Sequence, residues 1–454
     1  MLYTNLIFIL GLFPISAMLS FLDRSAEYKN LILIITSLLF FSWGKPFAIC
    51  LIMLSSLADW GLGALCSKFK DHNALPKLFL GCDALIDLII LFIFDHNYLF
   101  IGKLSFSSAL LPVTTFYYCL RGFSYVYDVY RSNINAEKNF FCLLTYMCSF
   151  HLMLAGPAVR YGEAEPQIRK REITLPMLSK GLTKIFIGFA KVVIPAEIFS
   201  AVKLAGLNGD TVTILGSWIG MAAFFAEYYL TFSGLCDMSI GMGLTNGFKY
   251  PENYMTINFD GKITSLVKTF NTTIICFFAE LFGLKSDKNK TVKILGSAIC
   301  GLTIGILYKT DLNFAVAGIL VGTLCGIELA YSDKIKLAKP IKIIVLSLAT
   351  FALFGMTYFD SLSGYEKWLI SLVGIGADSF TSKSLTKTLL NNLTIIVISF
   401  FVIFEPLKSL ISKALKNLSD RSVRYYGLIR LIKTVMTAFV FLLGIITVSS
   451  KFIS

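Results

Sequence analysis

Apolar runs of membrane length, separated by short polar segments, fill this chain from one end to the other. They cover residues 6–22, 31–43, 47–66, 78–94, 110–130 and 141–154. After a polar interval come 181–199, 212–229, 263–284, 294–307, 312–330, 341–358, 389–415 and 428–448. A further run at 368–375 is too short to span alone. At roughly 20 residues per span, the pattern predicts an all-α polytopic membrane protein with about 11–13 membrane segments. Gly44-Lys45-Pro46 and Gly156-Pro157 mark turns, and Pro195 marks a kink. No basic residue precedes the first run, while Arg24 and Lys29 follow it. A retained first helix is expected, with its amino end outside and those two residues cytoplasmic. No internal repeat, low-complexity tract or soluble-domain linker is visible, so a single membrane domain over residues 1–454 is expected.

One stretch breaks the apolar pattern in an informative way. Residues 228–254 carry Ser233, Asp237, Asn246, Lys249, Glu252 and Asn253 within an otherwise apolar region. A carboxylate such as Asp237 is costly in hydrocarbon and faces a bundle interior or a water-filled cavity. Ser233, Asp237 and Gly241 are four apart and share one face of a helix. Gly234, Gly241, Gly243 and Gly247 allow close approach of other backbone or of a ligand. Two readings fit: a polar helix–helix contact, or the wall of an intramembrane site.

Composition agrees with the membrane reading. The 454 residues are 56% hydrophobic and 15% charged, against roughly 25% charged in soluble proteins. The net charge of +13 therefore speaks for topology and not for nucleic acid. Its basic residues gather in short loops: Lys68, Lys70 and Lys77; Arg169, Lys170 and Arg171; Lys285, Lys288 and Lys290; Lys334 and Lys336. Ten scattered cysteines include no CxxC pair and no Cys/His cluster, so neither a disulfide scaffold nor a metal site is expected. There are three histidines: His72, His96 and His151.

Other polar positions inside apolar runs stand out. Asp83 and Asp87 lie four apart on one face, and like charges repel, so that face should see water or a partner. Arg121 and Asp128 are seven apart and could pair through neighbours. Residues 158–180 are strongly polar and predict a loop or a surface helix.

Four ordered blocks resemble the membrane-bound O-acyltransferase family. Its bacterial branch of alginate O-acetylases, exopolysaccharide acetylases and the teichoic-acid D-alanyl transfer protein is the most similar. The blocks are LLPVTTFYYCLRGFSYVYDVYR (110–131), FHLMLAGPAVR (150–160), LSKGLTKIFIGFAKVVIPAEI (178–198) and LTFSGLCDMSIGMGLTNGFKYPENY (230–254). The resemblance implies a helical bundle around an intramembrane tunnel, with a core over about residues 100–331 and C-terminal helices over 341–448. An acyl donor (acyl-CoA or an acyl carrier) would enter from the cytoplasm and an acceptor hydroxyl from the other side. A tunnel histidine would be the general base.

This chain departs from the family at the histidines. One of those positions holds Asn271, in the run Val267-Lys268-Thr269-Phe270-Asn271. The main catalytic position holds Val321, within a kept frame of Asn313-Phe314, Gly318 and Gly322. Tryptophan is replaced as well, at Phe270, Thr303 and Ala317. Valine cannot accept a proton, so no intact catalytic residue is expected. His151, Ser233, Asp237, Glu252 and Asn253 remain as candidate tunnel-lining residues. The resemblance implies an O-acyltransferase-like protein, catalytically degenerate and linked to acylation of an envelope or extracellular polysaccharide. The open alternatives are an active transferase with a relocated base at His151 or Asp237, or a transporter or scaffold with a path through Asp83, Asp87 and Asp237. Expected partners are membrane lipids, a polysaccharide and an envelope or periplasmic acyltransferase subunit, with no nucleic acid. No cofactor beyond the acyl donor is implied, no metal is expected, and the bacterial cytoplasmic membrane is the expected location.

Overall fold

Apolar runs become helices throughout. The structure is a computed structural model that describes residues 3–22, 25–43, 47–95, 111–209, 211–257, 260–284, 289–308, 312–331, 339–359, 361–419 and 423–453. Among these residues there is no strand, only isolated bridges. The protein is an all-α, multi-pass membrane protein. Five helical stretches are long and apolar enough to cross a membrane: Ile49–Lys68, Leu175–Leu207, Ile214–Thr245, Leu312–Tyr331 and Gly427–Ser450. Lys383–Asn391 and Leu393–Ile403, bent by 70°, add a sixth if they count as one broken span. His96, Arg24 and the Gly44-Lys45-Pro46 turn lie outside the described residues, as do Lys285, Lys288, Lys334 and Lys336.

Several expected segments are interrupted, each for a local reason. The 141–154 run gives a helix only over Phe140–Cys148, capped by Asn139, whose Oδ1 accepts from the Phe141 amide at 2.9 Å. A single 3-10 turn, Phe150–Leu152, follows. Pro195 opens a new helix, Pro195–Leu207, where the missing N–H of proline does no harm. The 263–284 run splits into Ile263–Lys268 and Thr272–Leu281 at Asn271, whose φ of 56° lies in the left-handed region that asparagine tolerates.

The residues gather in two compact units. The first comprises Met1–Ile185 and Leu235–Glu252. Its core joins Tyr3, Phe8, Phe40 and Phe150, with the Phe8 ring 4.8 Å from Phe40 and 5.6 Å from Phe150. The Tyr3 hydroxyl satisfies the Phe150 carbonyl at 2.6 Å. Here the turn between helices is clamped by Glu137. Its Oε2 accepts from Tyr161 and from Arg169, both at 2.6 Å, and its Oε1 accepts from the Asn139 amide at 2.7 Å.

The second unit comprises Phe186–Gly234 and Asn253–Ser454. Phe199, Val202, Leu230, Ile257, Leu385 and Ile403 form its core. Its tightest element is the helix pair Lys290–Tyr308 and Leu312–Tyr331. Ser297 and Gly301 of one helix meet Gly318 and Gly322 of the other, and a methyl group added at Gly318 would strike the Gly301 carbonyl. Small residues four apart let two backbones touch, the usual way of packing helices in lipid. The final helix is covered over only 6% of its apolar window. Leu431, Val435, Phe439, Leu442 and Ile446 are exposed along it, a flank suited to acyl chains.

Candidate functional site

Most of the candidate residues belong to one long helix and the turn after it. Ile214–Thr245 is helical throughout, so Ser233, Asp237 and Gly241 share a face as expected. The helix stops at Gly247, whose φ of +85° only glycine adopts freely. The Phe248 amide bonds to the Gly243 carbonyl at 2.8 Å and the Gly247 amide to the Leu244 carbonyl at 3.1 Å. That pair of bonds is the double closure of a Schellman end. It turns the chain back on itself and sends Phe248 and Tyr250 over His151.

His151, in the first unit, is fully buried. Its Nε2 lies 2.7 Å from the Tyr250 hydroxyl, and the two rings stack at 5.4 Å. Phe248 covers it at 5.3 Å. Gly243 makes room, because a methyl group there would lie 2.6 Å from the Tyr250 ring. The His151 carbonyl accepts from the Ser239 hydroxyl. Its Nδ1 has no hydrogen-bond partner. Of the other histidines, His72 is exposed on a loop.

Asp237 belongs to an ionic arrangement that the sequence reading did not single out. Lys184 Nζ lies 3.1 Å from Asp237 Oδ1 and 2.9 Å from Glu252 Oε1. Asp237 is buried, whereas the Glu252 side chain is 56% exposed, so Glu252 reaches the surface while Asp237 does not. Lys184 follows from the crossing of its helix with Ile214–Thr245, where Gly181 and Gly241 let the backbones meet. The available signal was a lysine inside an apolar run, Lys184, with Lys191 seven residues later.

In the second unit, Ser233 is buried and donates back to the Leu230 carbonyl at 3.4 Å. Asn253 clasps the start of Thr272–Leu281. Its Nδ2 donates to Asn271 Oδ1 at 3.0 Å, and its Oδ1 accepts from the Thr273 amide at 3.1 Å and from the Thr273 hydroxyl at 2.6 Å. Its carbonyl accepts from the Thr272 amide at 3.1 Å. Asn271 is therefore part of a structural clasp. Phe270 packs among Phe225, Tyr228, Tyr229 and Phe232, at 5.5, 5.5, 5.8 and 6.3 Å. Val321 is half-buried beside Gly322 of the close helix pair. Asn313 gives Nδ2 to the Phe359 carbonyl at 2.6 Å.

Two other expectations change. Arg121 does not reach Asp128. Arg121 is held by the Tyr146 carbonyl, while Asp128 takes Arg160 at 2.9 Å and Asn133 at 3.0 Å. A seven-residue spacing shares a face but spans two turns, and nearer cations win. Asp83 and Asp87 are buried, as is Asp59 of the preceding helix, so their face is turned inward. No cation is paired with these three among the described residues.

No protein-family profile matches the chain. Curated proteins do. A probable alginate O-acetylase AlgI of Pseudomonas syringae pv. tomato is 24% identical over 345 residues, covering 73% of this chain and 66% of that protein. The corresponding protein of Pseudomonas putida is 27% identical over 304 residues, covering 64% of this chain and 62% of that protein. A peptidoglycan O-acetyltransferase of Helicobacter pylori is 22% identical over 377 residues, covering 73% of this chain and 71% of that protein. The chain is thus similar in sequence to these bacterial O-acetyltransferases. That agrees with the membrane-bound O-acyltransferase branch its motifs resemble. The match spans about two thirds of the length of the alginate relatives.

Proposed function

We propose that this protein serves the O-acetylation of an envelope or extracellular polysaccharide as a catalytically degenerate member of the O-acyltransferase branch. The observation that carries this reading is the use made of the family's histidine positions. Asn271 is committed to the clasp with Asn253, and Val321 is an aliphatic residue on a helix-packing frame. Neither can take a proton from an acceptor hydroxyl. General-base assistance contributes roughly 10²–10⁴ in rate, so its loss leaves binding and positioning. The protein would hold lipid, polysaccharide or an acyltransferase subunit in the cytoplasmic membrane and leave the chemistry to that partner.

One observation favours a second reading, an active transferase with a relocated base. His151 is buried, with Nε2 on the Tyr250 hydroxyl and Nδ1 without a partner. In that reading the histidine takes the proton of an acceptor hydroxyl. The oxygen attacks the carbonyl of an acyl thioester, from acyl-CoA or an acyl carrier. An ester forms, the carbon–sulfur bond breaks, and the thiol leaves with the proton.

Polysaccharide acetyl content in cells separates the two. Deletion of the gene is expected to lower it. Val321→Ala and His151→Gln, at equal protein abundance in the membrane, are expected to leave it near the wild-type level. If His151→Gln behaves like the deletion, the relocated base replaces the degenerate reading. If deletion changes nothing, both fail.

A further inference from the structure

Two arginines of the first unit are buried without an acid. Arg121 is 2% exposed and Arg171 6%. Arg121 donates Nη1 to the Tyr146 carbonyl at 2.8 Å and Nη2 to the Met153 sulfur at 2.6 Å, and its Nε has no partner. Arg171 donates Nη1 to Asn30 Oδ1 at 2.6 Å, while its Nε and Nη2 have no partner. Among the described residues neither is ion-paired. Two other arginines of the same unit are: Arg160 with Asp128 at 2.9 Å and Arg169 with Glu137 at 2.6 Å. A fold that supplies acids to its part-exposed arginines and withholds them from its buried ones has left two charges uncompensated where that is most costly. Loss of the proton does not relieve the cost at neutral pH, since burial lowers Arg171 only to about 10.

Both arginines lie within electrostatic reach of His151 and Tyr250. The Arg171 guanidinium lies 4.4 Å over the Phe248 ring, and that ring is 5.3 Å from His151 and 5.6 Å from Tyr250. Met153, which holds Arg121, follows His151 by two residues. We propose that Arg121 and Arg171 form a buried oxyanion-binding site beside His151, taking a carboxylate or phosphate group of a ligand. A guanidinium presents its N–H groups as a fork matched to two oxygens of either group, and charge-assisted bonds of this type are the strong ones. The site supplies no acid of its own, so the ligand brings the missing charge. It does not depend on acyl transfer, and it stands whether the protein is degenerate or active.

Thermal unfolding of the purified full chain in detergent micelles tests this, with inorganic phosphate and glucuronate titrated separately at ionic strength held constant with sodium chloride. A saturable rise in Tm is expected with at least one of them. A response to phosphate points to a phosphorylated ligand, such as an acyl donor, and one to glucuronate to a carboxylated sugar. Arg121→Gln and Arg171→Gln are each expected to weaken the apparent affinity by roughly tenfold or more. Where a glutamine variant is not recovered folded, Arg121→Lys and Arg171→Lys keep the charge but lose the fork, and are expected to weaken binding several-fold. The proposal is overturned if neither anion raises Tm beyond the chloride control. It is overturned equally if the rise is unchanged in the arginine variants.

Discussion

Lys184 pairs with the residue that looked most like an intramembrane functional group, Asp237. Asp237 alone, in a helix of the Ile214–Thr245 kind, reads as a base or an ion ligand. With Lys184 Nζ at 3.1 Å it reads as half of an ion pair that joins two crossing helices. Removing one partner of a buried pair is costly because the other charge stays behind. Lys184→Met is expected to destabilise the protein by about 2 kcal/mol in denaturant unfolding, below the fully buried range because Lys184 is part-exposed. Lys184→Met combined with Asp237→Asn should cost less than Lys184→Met alone. Glu137 allows a prediction on acidity. Burial pushes its carboxyl up, but bonds from Tyr161 and the Asn139 amide, with the Arg169 guanidinium, outweigh that and hold it below the ordinary glutamate range. A group lowered on folding contributes stability that is complete above its unfolded pKa, about 4.3, and is lost as pH falls through its folded value. Tm should therefore fall more steeply with acid below about pH 4.3 in the wild type than in Glu137→Gln.

At the scale of elements, glycine positions show that a motif frame also carries helix packing. Gly318 and Gly322 were read as part of a site frame, yet the structure packs both against Gly301, between Lys290–Tyr308 and Leu312–Tyr331. Gly301→Leu would drive a side chain into the Gly318 backbone and is expected to cost about 3 kcal/mol or more. Gly61, in Phe47–Lys68, has open space where its side chain would be. Gly61→Ala should raise stability by up to about 1 kcal/mol through helix propensity. Thermal unfolding of the two variants side by side checks both signs. Helix existence was legible from apolar runs, because burial and lipid both select the same residue types. The breaks were not. Asn271 in a left-handed conformation and the early end at Cys148 are set by tertiary bonds from Asn253 and by the turn at His151.

For the whole molecule, the membrane character and the kinship with O-acetyltransferases were legible, the first from composition and the second from four ordered blocks. What the sequence did not disclose was the pairing of charges. Lys184 with Asp237, Arg160 with Asp128, and the acid-free burial of Arg121 and Arg171 depend on which helices cross, and spacing along one helix does not contain that. The central claim is that this chain keeps the frame of an acetyltransferase site without a base at the family's histidine positions. Its most direct test supplies the purified full chain, reconstituted in liposomes, with acetyl-CoA and an acceptor polysaccharide, and counts O-acetyl esters by NMR. The account predicts no ester above a protein-free control. Esters accumulating over many turnovers per protein would contradict it.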